Sequence, residues 1–335
     1  MRAVVIDKPG AFRIGEVADP EPGPHDVVVR VAACGICGTD LHILDGEFPP
    51  SPYPLVPGHE FAGTIAAVGS GVRGLAEGQR VACDPSLFCG RCDYCRIGRG
   101  NLCANWNAVG DTVSGAFAEY VAVPEANTYA IPDGLDFASA ALIEPLSCAV
   151  HGVDMLGGVA DQRVLVIGAG TMGLLLAQLL RNGGAAEVAV VDREAARLDL
   201  AARVGATTVA TDVEAVRGAG FHTAVDATGA VPAIGAAFDS LRRGGTLLVF
   251  GVADGEAKVE LSPFRIYNDE IRVLGSMAVL NSYGRAVEIA SAGRVDLGAL
   301  IAPAWPLDGY GAAVAAVRSG NVAEGRVKAQ VVPGT

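Results

Sequence analysis

Positive charge is scarce in this chain: 25 lysines and arginines stand against 37 aspartates and glutamates, a formal net charge of −12. A nucleic-acid-binding protein wants a basic face, and so does one that docks on an anionic membrane, so both classes are disfavoured. Low-complexity tracts and internal repeats are also missing. With 51% apolar and 19% charged residues, the composition excludes disorder. The most apolar stretch, Val164–Leu180, has nearly the length of a membrane span. Gly168, Gly170 and Gly173 interrupt it, and a β-branched half gives way to a leucine-rich one. A buried strand followed by a helix explains it better. The opening Met1-Arg-Ala-Val-Val-Ile-Asp7 lacks the apolar core and cleavage site of a signal peptide, so a cytoplasmic protein is expected.

Cysteine is present and unevenly placed. Four of the eight fall in Cys89-Gly-Arg-Cys92-Asp-Tyr-Cys95-Arg-Ile-Gly-Arg-Gly-Asn-Leu-Cys103. Two-residue gaps let successive thiolates converge, and the longer gap lets a loop return with the fourth. That is the spacing of tetrahedral zinc, and four sulfurs leave no position for a substrate, so the predicted role is structural. Disulfides fit poorly in a chain with no mark of secretion.

At 335 residues the chain suits two domains. Up to about residue 147, short strand-like runs (Ala3–Ile6, Val27–Ala33, Gly63–Val68, Arg80–Cys83, Ala118–Val123) alternate with Pro and Gly clusters, as in a small barrel. From about 148 the rhythm becomes strand, helix, strand. Arg163–Ile167, Glu187–Val191, Thr223–Ala227 and Thr246–Phe250 read as buried parallel strands, with helices at Met172–Arg181 and Glu194–Val204. A doubly wound sheet follows from that alternation. Val273–Leu280 reads as a further strand, Tyr283–Ala292 as a helix, and Arg326–Val332 holds a last strand that returns to the first domain.

The strand ending at Ile167 runs into Gly168-Ala-Gly170-Thr171-Met172-Gly173 and then a helix. The first two glycines permit a tight turn and close backbone approach, the third lets helix and strand pack, and the free amides face a pyrophosphate. The next strand ends in Asp192, nineteen residues past Gly173, where a carboxylate accepts hydrogen bonds from an adenosine ribose. Asp192 would repel a 2′-phosphate, which favours NAD over NADP; Arg193 beside it softens that preference, and Arg197 is placed in the same cofactor set. Thr228 and Gly251 end parallel strands on the cofactor side and are expected near the nicotinamide ribose.

A second set of metal-ligand residue types comprises Cys37-Gly-Thr39-Asp-Leu-His42, Gly58-His59-Glu60 and Glu144-Pro145. A thiolate, an imidazole and a carboxylate would leave one zinc position open, as catalytic zinc requires. Taken with the four-cysteine lobe and the glycine loop, in that order along essentially the whole length, the chain resembles the zinc-containing medium-chain dehydrogenases. Gly58-His59-Glu60-Phe-Ala-Gly and Ile143-Glu144-Pro145-Leu are more similar to the polyol (sorbitol-type) and threonine branch than to the ethanol-type enzymes.

The resemblance implies an α/β architecture: a GroES-like catalytic domain (1–147 and 285–335) and a Rossmann cofactor domain (148–284). It implies Cys37, His59 and Glu60 as ligands of a catalytic zinc, with Glu144 ligating directly or holding the zinc water, and a second, structural zinc. Thr39 and His42 take the family's proton-relay positions. The implied reaction is hydride transfer from a secondary alcohol (a polyol, cyclitol or sugar alcohol) to NAD. Threonine-type oxidation is the alternative, and a non-catalytic nucleotide-binding protein the reading from another class. A homotetramer is favoured over a dimer, with Val273–Leu280 as its edge strand. Cys34, Cys83, Cys148 and His151 read as packing, with Cys148 at a helix start. His25 and His222 read as solvated, His222 just ahead of a strand.

Overall fold

The computed structural model describes residues 1–48, 51–218, 220–320, 322–323 and 325–334. Its N-terminal part is a hairpin, Arg2–Lys8 with Ala11–Glu16, set against a seven-stranded sheet. The sheet runs Trp305–Pro306, Gln330–Val332, Asp26–Gly35, Glu60–Val68, Arg80–Cys83, Thr128–Ala130, and Tyr120–Pro124 also pairs with Asp26–Gly35. Val27, Val29 and Val31 point to one buried face, while of the residues between them Arg30 is exposed and Val28 is buried on the other side. The first three valines share a core with Val4, Phe61, Val81 and Phe117, and with Leu307, Tyr310, Val314 and Val331 from the far end of the chain. The returning tail is therefore part of the N-terminal core. This is the GroES-like domain, and the described ladder is an open path rather than a closed ring of strands.

The second part is a six-stranded, all-parallel sheet of Rossmann type. Its strands are Arg163–Ile167, Glu187–Val191, Thr208–Ala210, Phe221–Asp226, Leu241–Val249 and Arg272–Gly275. Numbered within the sheet, their order is 3-2-1-4-5-6, the doubly wound arrangement that opens a crevice where the winding reverses. Val164, Val166, Leu165 and Val190 are fully buried, as strands covered by helices on both faces must be.

Three expectations need correction. The run Val273–Leu280 is strand only to Gly275, and Ala278 and Asn281 take positive φ values (48° and 51°) that no strand can continue through. His222 lies within Phe221–Asp226: its ring accepts from the Arg163 N–H at 3.1 Å and meets the Arg242 guanidinium at 2.8 Å, so it is paired rather than merely solvated. Cys148 sits in the middle of the helix Ile143–Leu156, and its thiol donates to Glu144 Oε1 at 3.4 Å. The strand Thr208–Ala210 was not legible, being three residues long.

Candidate active site

Sheet register explains how distant residues meet. Gly35 at the end of one strand pairs with Glu60 at the start of its antiparallel neighbour. Two residues past Gly35, Cys37 caps the helix Gly38–Asp45; one residue before Glu60 is His59. The donor atoms of Cys37, His59 and Glu60 consequently lie within 4.8 Å of one another. His59 and Glu60 are buried, at 5% and 1% exposure. A soft thiolate, an imidazole and a carboxylate held this close suit zinc and leave one of its four positions unused.

Three residues around this pocket were not singled out from the sequence. Asp40 is fully buried; its Oδ2 accepts the Cys37 backbone N–H at 2.8 Å, and its Oδ1 lies 3.7 Å from His59 Nδ1. Burial pushes this carboxyl up to about 6, against the pull of His59. Asp111 Oδ1 is nearer to the same nitrogen, at 3.1 Å. Lys328, 3% exposed, ion-pairs with Glu60 and donates to the Ile36 carbonyl at 3.0 Å. Asp40 had a sequence signal, an acid three residues past a helix cap. Asp111 and Lys328 had none, because tertiary contact alone brings them in.

Glu144 occupies the first turn of Ile143–Leu156 and is buried. It is not part of the converging trio. Burial raises its carboxyl to about 7, and the Cys148 thiol is its hydrogen-bond donor. Thr39 Oγ1 lies 3.8 Å from Cys37 Sγ. His42 is half exposed, with Nδ1 2.8 Å from Glu47 Oε2. Threonine and histidine thus stand on one short helix, Thr39 in its first turn beside Cys37 and His42 exposed further along. Trp106 packs edge-on against Phe48, and Phe117 is buried against Tyr310. Beyond Phe48, Pro49 and Pro50 lie outside the described residues.

Cys89, Cys92, Cys95 and Cys103 converge within 4.8 Å, all as free thiols. Backbone N–H groups of Cys92 and Asn105 point at the sulfurs of Cys89 and Cys103, at 3.4 and 3.3 Å. The amides of Arg91 and Cys92 draw Cys89 down to about 6, whereas burial and the neighbouring thiols push Cys95 up to about 12. Four sulfurs this close cannot all ionise without a cation between them, so the set fits zinc and is closed to substrate.

In the glycine loop, Gly168 has φ +104°, and a Cβ there would meet Thr228 Cγ2 at 2.7 Å. A Cβ at Gly173 would overlap the Gly168 carbonyl oxygen, whereas one at Gly170 would meet nothing within 4 Å. Gly173 therefore serves packing and Gly170 leaves room for a ligand. Gly170 caps the helix Thr171–Asn182 with no side-chain bond, so the first amides stay available to phosphate. Gly173→Ala should lower NAD(P)H affinity more than about tenfold and also lower Tm, since rigid backbone must shift by an amount that costs about 1–3 kcal/mol. A fluorescence titration and a melting curve check both; unchanged binding would refute the packing argument.

Asp192 Oδ2 accepts the Ala169 N–H at 2.7 Å, tying the second strand to the loop, and Arg197 lies 3.9 Å away. Arg197 is itself held by the Gly320 carbonyl at 2.8 Å, and Arg193 is exposed. Met172 is half-buried against the core, and Thr171 Oγ1 donates to the Val327 carbonyl at 3.3 Å. Thr228 Oγ1 donates to Asp226 Oδ1 at 2.6 Å, and the Gly251 N–H to the Asp226 carbonyl at 2.9 Å. Val327 touches the cofactor helix and Lys328 the metal pocket, so adjacent residues bring the two sites together.

A trio of zinc-type donors with one position to spare, next to a doubly wound sheet with an uncapped glycine loop, defines a zinc-dependent alcohol dehydrogenase. Residues 23–133 match the alcohol dehydrogenase GroES-like domain and 171–292 the zinc-binding dehydrogenase domain. The chain belongs to the zinc-binding medium-chain alcohol dehydrogenase family and is an alcohol or polyol dehydrogenase of the EC 1.1.1 class. It is 36% identical over 322 residues to D-arabinitol dehydrogenase 1 of Uromyces fabae, covering 92% of each chain. It is 33% identical over 339 residues to an L-threonine 3-dehydrogenase of Rhizobium etli, covering 96% of each. A crystal structure from Sinorhizobium meliloti 1021, described as a zinc-binding dehydrogenase bound to NADP, matches with TM-score 0.94 and 39% identity over 99% of both chains. Among the described residues no helix is long and apolar enough to cross a membrane.

Proposed function

We propose that this enzyme oxidises a secondary hydroxyl of a polyol, cyclitol or sugar alcohol to the ketone and reduces NAD. The observation that carries it is the Cys37, His59, Glu60 trio with a second buried carboxylate, Glu144, close by. Zinc in that pocket would supply a Lewis acid for the hydroxyl, and NAD the hydride acceptor. Glu144, with its raised pKa, can hold or release a proton near neutral pH. Thr39 accepts the hydroxyl proton as it gives up its own, and His42, at the surface, is the group that returns a proton to water. The balance is alcohol plus NAD⁺ giving ketone, NADH and one proton.

Asp192 supports NAD over NADP: its carboxylate already faces the loop amide at Ala169, where a ribose hydroxyl is welcome and a phosphate is repelled. Residues 1–147 and 285–335 are assigned to the catalytic domain and 148–284 to the cofactor domain. The short edge strand Arg272–Gly275, with Val273 43% exposed, suits pairing with a second copy in a homotetramer.

The test is a reduction screen with NAD and NADP over polyols, inositols, 2,3-butanediol and L-threonine. The expected result is turnover of a polyol with NAD favoured at least tenfold in kcat/KM, and Asp192→Ala narrowing that ratio. Turnover of L-threonine alone would replace the polyol reading with the one the Rhizobium etli relative favours. NADP preference in the unaltered enzyme would overturn the role given to Asp192.

A further inference from the structure

We propose that Asp111 is the positioning residue for His59: its carboxylate accepts a hydrogen bond from Nδ1–H and leaves Nε2 to the metal. This rests on the reading of Cys37, His59 and Glu60 as the zinc pocket. Two buried carboxylates face one ring nitrogen, and an imidazole ligand can offer a single N–H on that side. Asp40 is 3.7 Å away, with its other oxygen committed to the Cys37 amide. Asp111 is 3.1 Å away, though the ring N–H does not point straight at Oδ1 as it stands. Both Asp111 Oδ1 and Asp40 Oδ1 are buried and make no hydrogen bond, so the nearer oxygen needs this proton.

The backbone around Asp111 is built for placement. Ser51 Oγ donates to the Asp111 carbonyl at 2.7 Å, and the Asp111 N–H donates to the Ala108 carbonyl at 3.2 Å. The turn is fastened to the strand entrance by Gly115 N–H to the Val56 carbonyl (2.7 Å) and Ala116 N–H to the Gly58 carbonyl (2.9 Å). A Cβ at Gly110 or at Gly115 would overlap the Gly58 carbonyl oxygen. The segment that carries His59 and the turn that carries Asp111 are thus in backbone contact, and a carboxylate so held fixes both ring orientation and tautomer. Asp40 is left with a different task, anchoring the Cys37 backbone.

The experiment uses the zinc-loaded full chain. In Asp111→Asn, a chromophoric chelator should extract one zinc per chain about 10–100-fold more readily than from the unaltered protein, while the four-cysteine zinc and Tm stay nearly unchanged. Zinc extraction at the unaltered rate would overturn the proposal. If Asp111→Asn does not fold, the ring N–H of His59 is followed by ¹⁵N NMR in the loaded protein and in Asp40→Asn. A signal that persists without the Asp40 carboxylate supports Asp111, and one that disappears overturns it. If Cys37→Ser still holds two zinc ions per chain, the pocket reading itself fails, a result distinct from either.

Discussion

Replacing Cys37 with serine should abolish turnover while NAD(P)H binding stays nearly intact. The sulfur is one of three donors in the pocket and touches nothing in the glycine loop, whose groups lie on Gly168–Gly173 and Asp192. Loss of a metal that stabilises developing charge by several kcal/mol corresponds to a fall of at least about 10³-fold in kcat. Steady-state kinetics, NADH fluorescence and zinc content give the three readouts. Retained activity with one zinc lost would remove Cys37 from the catalytic set.

Cys92→Ser has the opposite profile. The lobe Cys89–Cys103 is stitched by sulfur-directed amides and closed to substrate, so losing a ligand there costs structure first. A few kcal/mol of destabilisation, or roughly 5–10 °C in Tm, is expected together with loss of one zinc. The molecules that remain folded should turn over at close to the normal rate. A well-folded Cys92→Ser enzyme that had lost only its chemical step would show that the roles of the two metal sites had been exchanged.

Much of this was legible because local chemistry writes itself into sequence. The strands Arg163–Ile167, Glu187–Val191 and Arg80–Cys83 fall where their apolar runs begin and end. The four-cysteine lobe and the glycine loop are each complete within fifteen residues. Failures came where the third dimension decides. Leu241–Val249 starts five residues before Thr246 because Leu241 already pairs with Phe221, and Arg242-Arg243-Gly244-Gly245, turn-like by composition, bulges out before Thr246 pairs with Thr223. Val273–Leu280 is strand only to Gly275, and the positive φ at Ala278 keeps the backbone from resuming it. Glu144, expected either to ligate or to hold the zinc water, stands outside the trio, an arrangement of ångströms that no spacing encodes. Asp111 and Lys328 are single residues in ordinary surroundings, and only the folded pocket gives them partners.

Lys328 also sets a clock. It reaches the Ile36 carbonyl across 292 positions of chain, whereas the four-cysteine lobe closes over 14. Contacts between distant segments carry the larger loop-closure entropy and form later in folding. The four-cysteine lobe needs nothing outside its own fifteen residues to bring its sulfurs together, whereas Glu60 gains its buried counter-ion only when the last strand has docked.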